Sequence, residues 1–242
     1  MIIQILRRLF SLRENSWRRE EWIKAELALI PSGESILDAG CGPQTYRKNC
    51  GHLNYKGQDF GQYDGRGSGD GLQQKDWHYG KLDYIGNIWE IDEQDGTFDA
   101  ILCTEVLEHV PYPNETIKEF ARLLKPGGVL LLTAPFSSLP HMQPYYFYGG
   151  FSVEYYRYFL ELNEFDILTI NHNGNAFEYV AQEMLRTKQY VGNNVLSFVY
   201  QVMLYGLVLP VLKMLSRMDN VSHKSLVFGY HVKAVKKSSC NR

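Results

Sequence analysis

Residues 36–46 read ILDAGCGPQTY, and this stretch decides the fold. A short apolar run ends in Asp38, and Gly40 and Gly42 follow it two positions apart. Such a run before a glycine-rich turn predicts a buried strand over Ser35–Ala39. Glycine lets the backbone approach a ligand closely, and the start of the next helix would offer free N–H groups. The stretch therefore predicts a ligand-binding turn at the end of a strand.

The rest of the chain alternates predicted strands with predicted helices. Residues 17–30 form a helical pattern with Trp22 and Leu29 on one face, and Asn114–Leu124 forms a second, with Asn114 as its cap. This alternation favours an α/β fold with a doubly wound, mostly parallel sheet. The other predicted strands are Asn54–Asp59, Leu82–Ile88, Phe98–Thr104, Val129–Ala134, Phe165–Asn171 and Leu226–Val235.

The composition fits one intracellular domain. The 242 residues are 45% hydrophobic and 21% charged, which suits a single α/β domain with a full core. A net charge of −2 gives no electrostatic case for nucleic-acid binding. The four cysteines lack metal-type spacing, and a chain of this length needs no disulfide framework. We therefore expect a cytoplasmic protein that does not bind nucleic acid.

Two residues near the turn decide which ligand it would take. A dinucleotide fingerprint needs a third glycine where this chain has Thr45. Instead, a second acid, Asp59, ends the next predicted strand. A carboxylate at that position can accept both hydroxyls of a ribose, because it presents two acceptor oxygens. The pattern favours a nucleoside-containing ligand other than a dinucleotide.

Three separated motifs resemble the class I S-adenosylmethionine-dependent methyltransferases, and the type 11 branch in particular. They are DAGCG at 38–42, FDAILCTEVLEHVP at 98–111 and RLLKPGGVLLLTAPF at 122–136. The resemblance runs from about Ser35 to Asn171, with Leu226–Val235 similar to the family's final strand. It implies a seven-stranded Rossmann-like sheet with a final antiparallel strand, and S-adenosyl-L-methionine as cofactor. The chain departs from the pattern at Gln44 and in the glycine-rich loop after Asp59.

The resemblance also assigns roles to individual residues. Asp38, Gly40, Cys41 and Gly42 would line the methionine end of the cofactor. At the other end, Asp59 would hold the ribose, Phe60 would cover the adenine, and Asn87 and Ile88 would flank the adenine. Thr104 and Glu105 would lie beside the amino-acid part of the cofactor.

Two histidines are candidate catalytic bases for a hydroxyl acceptor, whose proton must leave as the methyl group arrives. His109 follows the fourth predicted strand, and His141 begins the aromatic-rich segment that the resemblance places over the acceptor. Some quinone-pathway relatives hold a divalent metal with a similar E-x-x-E-H run, here Glu105, Glu108 and His109. Because Glu105 has a cofactor role available, we predict no metal.

The apolar residues 195–215 are long enough to be a membrane-span candidate. A single crossing would separate two strands that the family pairs, so two other interpretations remain. One is a buried helix or a helical hairpin broken at Gly206 or Pro210, and the other is a surface in the membrane interface. The apolar Met1–Leu12 segment supports the membrane-interface interpretation, because anionic lipid would attract its Arg7 and Arg8.

These observations predict one methyltransferase domain over residues 1–242. It would have an N-terminal helical segment (1–34), a cofactor-binding half (35–136) and a substrate-side half (137–242) that contains the apolar insertion. The predicted reaction is O-methylation of a small or lipid-linked acceptor, such as a saccharide, in the cytoplasm or at the inner face of the membrane. Aminopropyl transfer and a non-catalytic cofactor-binding scaffold are the alternatives.

Overall fold

The computed structural model describes residues 14–74, 77–192 and 195–238. The chain divides into two compact units. One unit, which we call the helical unit, combines the chain up to Arg19 with His172–Phe228, and the other combines Glu20–Asn171 with the segment from Gly229 onward. The Met1–Leu12 segment lies outside the described residues, so its membrane role stays a prediction.

A seven-stranded sheet forms the core of the second unit. Its strands are β1 (Ser35–Ala39), β2 (Asn54–Asp59), β3 (Tyr84–Ile85), β4 (Phe98–Thr104), β5 (Leu124–Pro135), β6 (Phe165–Asn173) and β7 (Gly229–Lys236). Their order is β3-β2-β1-β4-β5-β7-β6. β1 to β5 pair in parallel, whereas β7 runs antiparallel to β5. The predicted α/β class and final antiparallel strand are therefore confirmed.

Six α-helices are present in the described part of the chain. They are α1 (Glu14–Ala28), α2 (Pro113–Leu123), α3 (Val153–Leu162), α4 (Ala176–Arg186), α5 (Val195–Met203) and α6 (Leu209–Met218). In the sheet-containing unit, Ile23 and Leu27 of α1 pack in one cluster with Ile36 of β1 and Leu131 of β5. Leu131 and both its neighbours in β5 are fully buried, which confirms a strand that is covered on both faces.

Several predicted boundaries differ from the structure, and three of them have a local reason. Helix α2 begins at Pro113, because proline lacks an N–H and suits the first helical position, so Asn114 lies inside the helix and does not cap it. β3 is reduced to two residues, since Gly86 follows it in the left-handed region at φ +150°. β5 begins at Leu124, and its pairing with β4 shifts between Leu124 and Val129 to accommodate the intervening glycines.

The strand order reverses at β1, which lies between β2 and β4. The chain moves from β1 to β2 and β3 on one side and then crosses to β4 and β5 on the other. In such sheets a crevice opens beyond the carboxyl ends of the two strands that flank the reversal. The turn after β1 and the segment after β4 therefore lie at the edge where a ligand can enter.

The apolar stretch after residue 194 forms one continuous helix, Val195–Met218. A π-helical turn, Leu204–Val208, joins α5 to α6 without a break, and Pro210 lies in the first turn of α6, where its missing N–H is tolerated. The predicted hairpin was therefore wrong. By length and composition this helix could span a membrane, and only 22% of its most apolar window is buried, so it is not a core helix.

Candidate functional site

The turn after β1 adopts a backbone that requires its glycines. Gly40 and Gly42 lie in the left-handed region, at φ +72° and +49°. The N–H groups of Gly40 and Cys41 both donate to the carbonyl of Gln58 in β2, at 2.9 Å. A Cβ at Gly42 would lie 2.7 Å from Cζ2 of Trp77, so the indole packs directly on the turn. The turn is thus attached to β2 and covered by an aromatic ring.

Two buried carboxylates flank this turn. Asp59 accepts hydrogen bonds from the N–H of Gly42 at 2.9 Å and the N–H of Gly61 at 3.1 Å. Asp38 accepts one from the hydroxyl of Tyr55 at 2.7 Å. Burial raises the pKa of Asp38 to about 7, opposed by the Tyr55 hydrogen bond and reinforced by repulsion from Asp59. The structure therefore bonds Asp59 to Gly42 and brings Asp38 within electrostatic range of Asp59, while the cofactor-binding role of these residues stays a prediction.

The pKa of Asp59 is also raised by burial, although its backbone hydrogen bonds act in the opposite direction. Burial and the nearby Asp59 charge raise the pKa of Tyr79 to about 12, so this phenol remains a hydrogen-bond donor at neutral pH. The backbone N–H of Phe60 and the Tyr79 hydroxyl also bond Asp59, so four donors meet the about four lone-pair sites of this carboxylate. A ribose would bind Asp59 by replacing one of these donors.

The predicted adenine-side residues are less closely grouped. Phe60 packs edge-to-face on Tyr145, with ring centroids 4.8 Å apart. Asn87 is exposed, and its amide nitrogen donates to Glu90 at 2.6 Å, which leaves the amide oxygen to face an adenine amino group. Ile88 is buried, with only 6% of its surface exposed. Both Asn87 and Ile88 follow β3, on the far side of β2 from the glycine turn.

The residues after β4 adopt a strained backbone. Glu105 has φ +52°, a left-handed conformation that is uncommon without glycine and that often occurs at functional sites. Its N–H donates to the carbonyl of Thr133 at 2.9 Å, and its carboxylate accepts from the Thr133 hydroxyl at 3.0 Å. Thr133 is also the β5 neighbour of Thr104. These bonds hold Glu105 and Thr104 at the edge of the crevice.

His109 and His141 come together around Glu108. Their Nε2 atoms lie 3.8 and 3.9 Å from Oε1 of Glu108, which is 1% exposed, and the two imidazole rings meet edge-to-face at 4.6 Å. The Nδ1 of His109 bonds the carbonyl of Tyr145, and the Nδ1 of His141 bonds that of Leu139 at 2.9 Å. A carbonyl accepts only, so both Nδ1 atoms carry the hydrogen, and in the neutral form of either ring the lone pair is on Nε2.

This cluster has the donor set of a divalent metal site or of a proton acceptor. Burial, followed by repulsion from His141, lowers the pKa of His109 to about 4, so its ring is neutral at pH 7. The ligand atoms of Glu108, His109 and His141 all lie within 4.8 Å of one another. This set differs from the sequence-based alternative, because Glu105 bonds Thr133 and His141 takes its place.

Two loops that are distant in sequence meet beside this cluster. Residues 61–74 follow β2 and form what we call the glycine loop. The N–H of Leu72 donates to Pro140 at 3.0 Å, and the N–H of Met142 donates to Leu72 at 2.9 Å. The N–H of Ser68 donates to Gln143 at 2.8 Å. The glycine loop is thereby bonded to the segment that carries His141.

Sequence reasoning missed several residues that shape this site. Tyr55 and Gln58 lie on β2, and Thr133 could have been found by aligning the ends of β4 and β5. Trp77 had no sequence signal, since a loop brings it onto Gly42. Gln44 stands where the family has a glycine. Its side chain donates to the carbonyl of Lys81 at 2.8 Å and so attaches the segment before β3 to the turn after β1.

The fold and the site define a class I S-adenosylmethionine-dependent methyltransferase architecture. Comparison with known proteins identifies the family. A model of the family described as "Methyltransferase domain" matches residues 12–191, most of the 242-residue chain. The chain therefore belongs to the methyltransferase-domain family.

Curated relatives are ubiquinone biosynthesis O-methyltransferases. The protein from Erwinia tasmaniensis is 28% identical over 182 residues, which cover 72% of this chain and 70% of the relative. The protein from Dechloromonas aromatica is 30% identical over 126 residues, which cover 48% of this chain and 49% of the relative. The chain thus spans about half the length of several of the curated relatives it matches.

Solved structures share the fold at low sequence identity. The cyclase SpnF superimposes with a TM-score of 0.54 and 18% identity, covering 91% of this chain and 82% of that protein. A Haemonchus contortus phosphoethanolamine N-methyltransferase in complex with S-adenosyl-L-methionine superimposes with a TM-score of 0.53 and 15% identity. The match covers 92% of this chain and 53% of that protein. One neighbour is named a cyclase, so the fold alone does not define the reaction.

Proposed function

We propose that this protein transfers a methyl group from S-adenosyl-L-methionine to a hydroxyl oxygen of a small or lipid-linked acceptor. The observation that carries the proposal is the buried pair Asp38 and Asp59, which flank the glycine turn at the point where the strand order reverses. Membership of the methyltransferase-domain family supports the same cofactor. The names of the curated relatives support oxygen as the methylated atom.

The residues of the site fit this cofactor by their chemistry. S-adenosyl-L-methionine supplies an already activated methyl group when bound, so positioning of the acceptor does much of the work. The Asp38 carboxylate would accept from the cofactor's ammonium group, and Asp59 would accept from the ribose hydroxyls. The Nε2 lone pair of His141, or that of His109, would take the proton of the acceptor hydroxyl.

A lipid-linked acceptor would place the reaction at the inner face of the membrane, and a small acceptor would place it in the cytoplasm. The exposed apolar surface of the helix Val195–Met218 supports the first setting. A saccharide is one such acceptor, since the aromatic ring of Tyr146, 5.2 Å from the His141 ring, could stack on a sugar ring. For a lipid-linked acceptor, a labelled methyl group should be recovered in organic-extractable material.

Calorimetric titration with S-adenosylhomocysteine tests the cofactor assignment. The wild type should bind. Asp59→Ala should lose about 1–3 kcal/mol of binding free energy, because charge-assisted hydrogen bonds to the ribose are removed. Asp166→Ala is the matched control, because Asp166 is an exposed acid on β6. Absence of binding by the wild type would reject both methyl transfer and a cofactor-binding scaffold.

Methyl transfer itself needs a second experiment. The protein is incubated with methyl-labelled S-adenosyl-L-methionine and separate lipid and aqueous extracts, and the labelled product is analysed by carbon NMR. A methoxyl carbon is expected. A labelled nitrogen-bound methyl group would contradict oxygen as the acceptor atom, and transfer of the aminopropyl group instead would favour the alternative enzyme class. Cofactor binding with no labelled product would favour the scaffold.

A further inference from the structure

The helix Val195–Met218 exposes a long apolar surface in the helical unit. Val195, Leu196 and Phe198 are 77%, 76% and 58% exposed, which is unusual for large apolar side chains on one element. We call this surface the apolar helix face. Its members are Val195, Leu196, Phe198, Val199, Val202, Met203, Leu207, Val211, Met214 and Met218. A contiguous apolar patch of this length marks an interaction surface.

The opposite side of the same helix is committed to contacts within the helical unit. Leu204, Tyr205 and Leu209 are each 1% exposed and pack with Leu185 of α4 in one cluster. The side chain of Asn175 also donates to the Ser216 hydroxyl at 3.1 Å. The helix therefore has one packed side and one uncovered side in the part of the chain that the structure describes.

The charges along the helix indicate what covers the apolar helix face. Residues 195–218 contain no aspartate or glutamate, and their two cations, Lys213 and Arg217, lie in the last two turns. Both line a cavity of about 270 Å³ in the helical unit, together with the ion pair between Arg18 and Glu178. Three cations and one acid leave the lining of this cavity net positive. Cations at one end of an apolar helix suit anionic lipid head groups.

We propose that the apolar helix face docks this protein onto an anionic lipid bilayer, with the helix lying in the membrane interface. The packed side excludes a spanning orientation, because polar contacts such as Lys188 with Tyr205 and Thr187 with Tyr200 would lie in hydrocarbon. The strands that flank the helical segment, β6 and β7, are also neighbours in one sheet, which a single crossing would separate. The inference does not rest on the proposed reaction.

Flotation of the full-length protein with vesicles tests the proposal. The wild type should float with vesicles of phosphatidylcholine and phosphatidylglycerol, and less with phosphatidylcholine alone. The double variant Leu196→Glu and Phe198→Glu should bind about tenfold more weakly or worse, because it removes apolar burial at two positions. Lys213→Gln and Arg217→Gln should each weaken binding about fivefold at low salt.

Leu162→Glu is the matched control, because Leu162 is 63% exposed on helix α3, in the sheet-containing unit. This variant should float as the wild type does. Equal flotation of all variants, or no flotation of the wild type, would overturn the proposal. Resistance to carbonate extraction would overturn the interfacial orientation.

Sedimentation without lipid separates the bilayer from a second copy of the chain. A dimer that the Leu196→Glu and Phe198→Glu variant abolishes would show that the face binds another protomer, and would overturn the proposal. The same variants should bind S-adenosylhomocysteine with unchanged affinity and keep their thermal midpoint. That result makes loss of membrane binding distinguishable from failure of the cofactor assignment and from misfolding.

Discussion

At the scale of single residues, the protonation state of the buried Asp38 carboxyl is coupled to ligand binding. Burial raises the pKa of this carboxyl to about 7, and repulsion from Asp59 acts in the same direction. The ammonium group of a bound cofactor would favour the ionised form. Binding therefore needs a deprotonated Asp38, and the two events are thermodynamically linked.

The first prediction follows from this linkage. Affinity for S-adenosylhomocysteine should fall by about tenfold per pH unit as the pH is lowered below about 7, because the folded site must then lose a proton to bind. The Asp38→Asn variant should bind more weakly and show little dependence on pH in this window. Calorimetry across the pH range measures both, and a flat wild-type profile would contradict the assignment of Asp38.

The second prediction concerns the ligand-free protein. A raised carboxyl pKa contributes stability that is present below the unfolded value of 3.8 and is lost as the pH rises through about 7. Asp38→Asn should remove this loss, and the wild type should be less stable than the variant above neutral pH, by roughly a few kcal/mol at most. Chemical denaturation at acidic and alkaline pH would show it, and parallel curves for the two proteins would contradict it.

The third prediction concerns Glu108, His109 and His141. Imidazole and carboxyl side chains are ligands that Zn²⁺ accepts, so Zn²⁺ should raise the thermal midpoint and a chelator should reverse the change. His141→Ala should weaken binding by about tenfold or more. His78→Ala, at an exposed histidine, is the control. An equal response of all three proteins would place the bound metal elsewhere.

At the scale of elements, two glycines of the glycine loop have similar backbones but different surroundings. A Cβ at Gly71 would lie 2.5 Å from the carbonyl oxygen of Pro140, whereas at Gly69 it would meet nothing within 4 Å. Both glycines have left-handed backbones, at φ +69° and +84°. The two positions therefore separate backbone strain from the close approach of the two loops.

The fourth prediction uses this pair. Gly69→Ala should lower the free energy of unfolding by about 1–2 kcal/mol through backbone strain alone. Gly71→Ala should cost more and should also release the segment that carries His141. Hydrogen exchange at the amides of Leu72 and Met142 measures the contact, and it should accelerate in Gly71→Ala but not in Gly69→Ala. Equal exchange in both variants would show that the loops do not depend on the close approach.

At the scale of the whole molecule, ligand binding should stabilise the fold by mass action. S-adenosylhomocysteine at about one hundred times its dissociation constant should add about 2.7 kcal/mol, because it binds the native state only. The thermal midpoint of the 242-residue chain should rise accordingly. Asp59→Ala should need a higher ligand concentration for the same shift. A thermal midpoint that is the same with and without the ligand would contradict a binding site that forms only in the folded protein.

Much of the sheet could be predicted from short patterns. The bounds of β1, β2 and β4 agree with the predictions, because each is a compact run bounded by turn residues or by a change in hydrophobicity. β3 and the start of β5 could not be predicted, since a short strand and a bulge depend on pairing with neighbours. For the same reason, the sequence left residues 195–215 open between a buried helix or helical hairpin and a surface in the membrane interface.

The sequence by itself determined the α/β class, the glycine turn and the acids Asp38 and Asp59, because these depend on residue types at fixed spacing along one strand and its turn. Only the tertiary structure decided that His109 and His141 share Glu108, that Trp77 covers Gly42 and that the apolar helix has an exposed face. Each of these requires chain segments that are distant in sequence to meet, or to fail to meet. Such contacts follow from packing and leave no periodic signal in the chain.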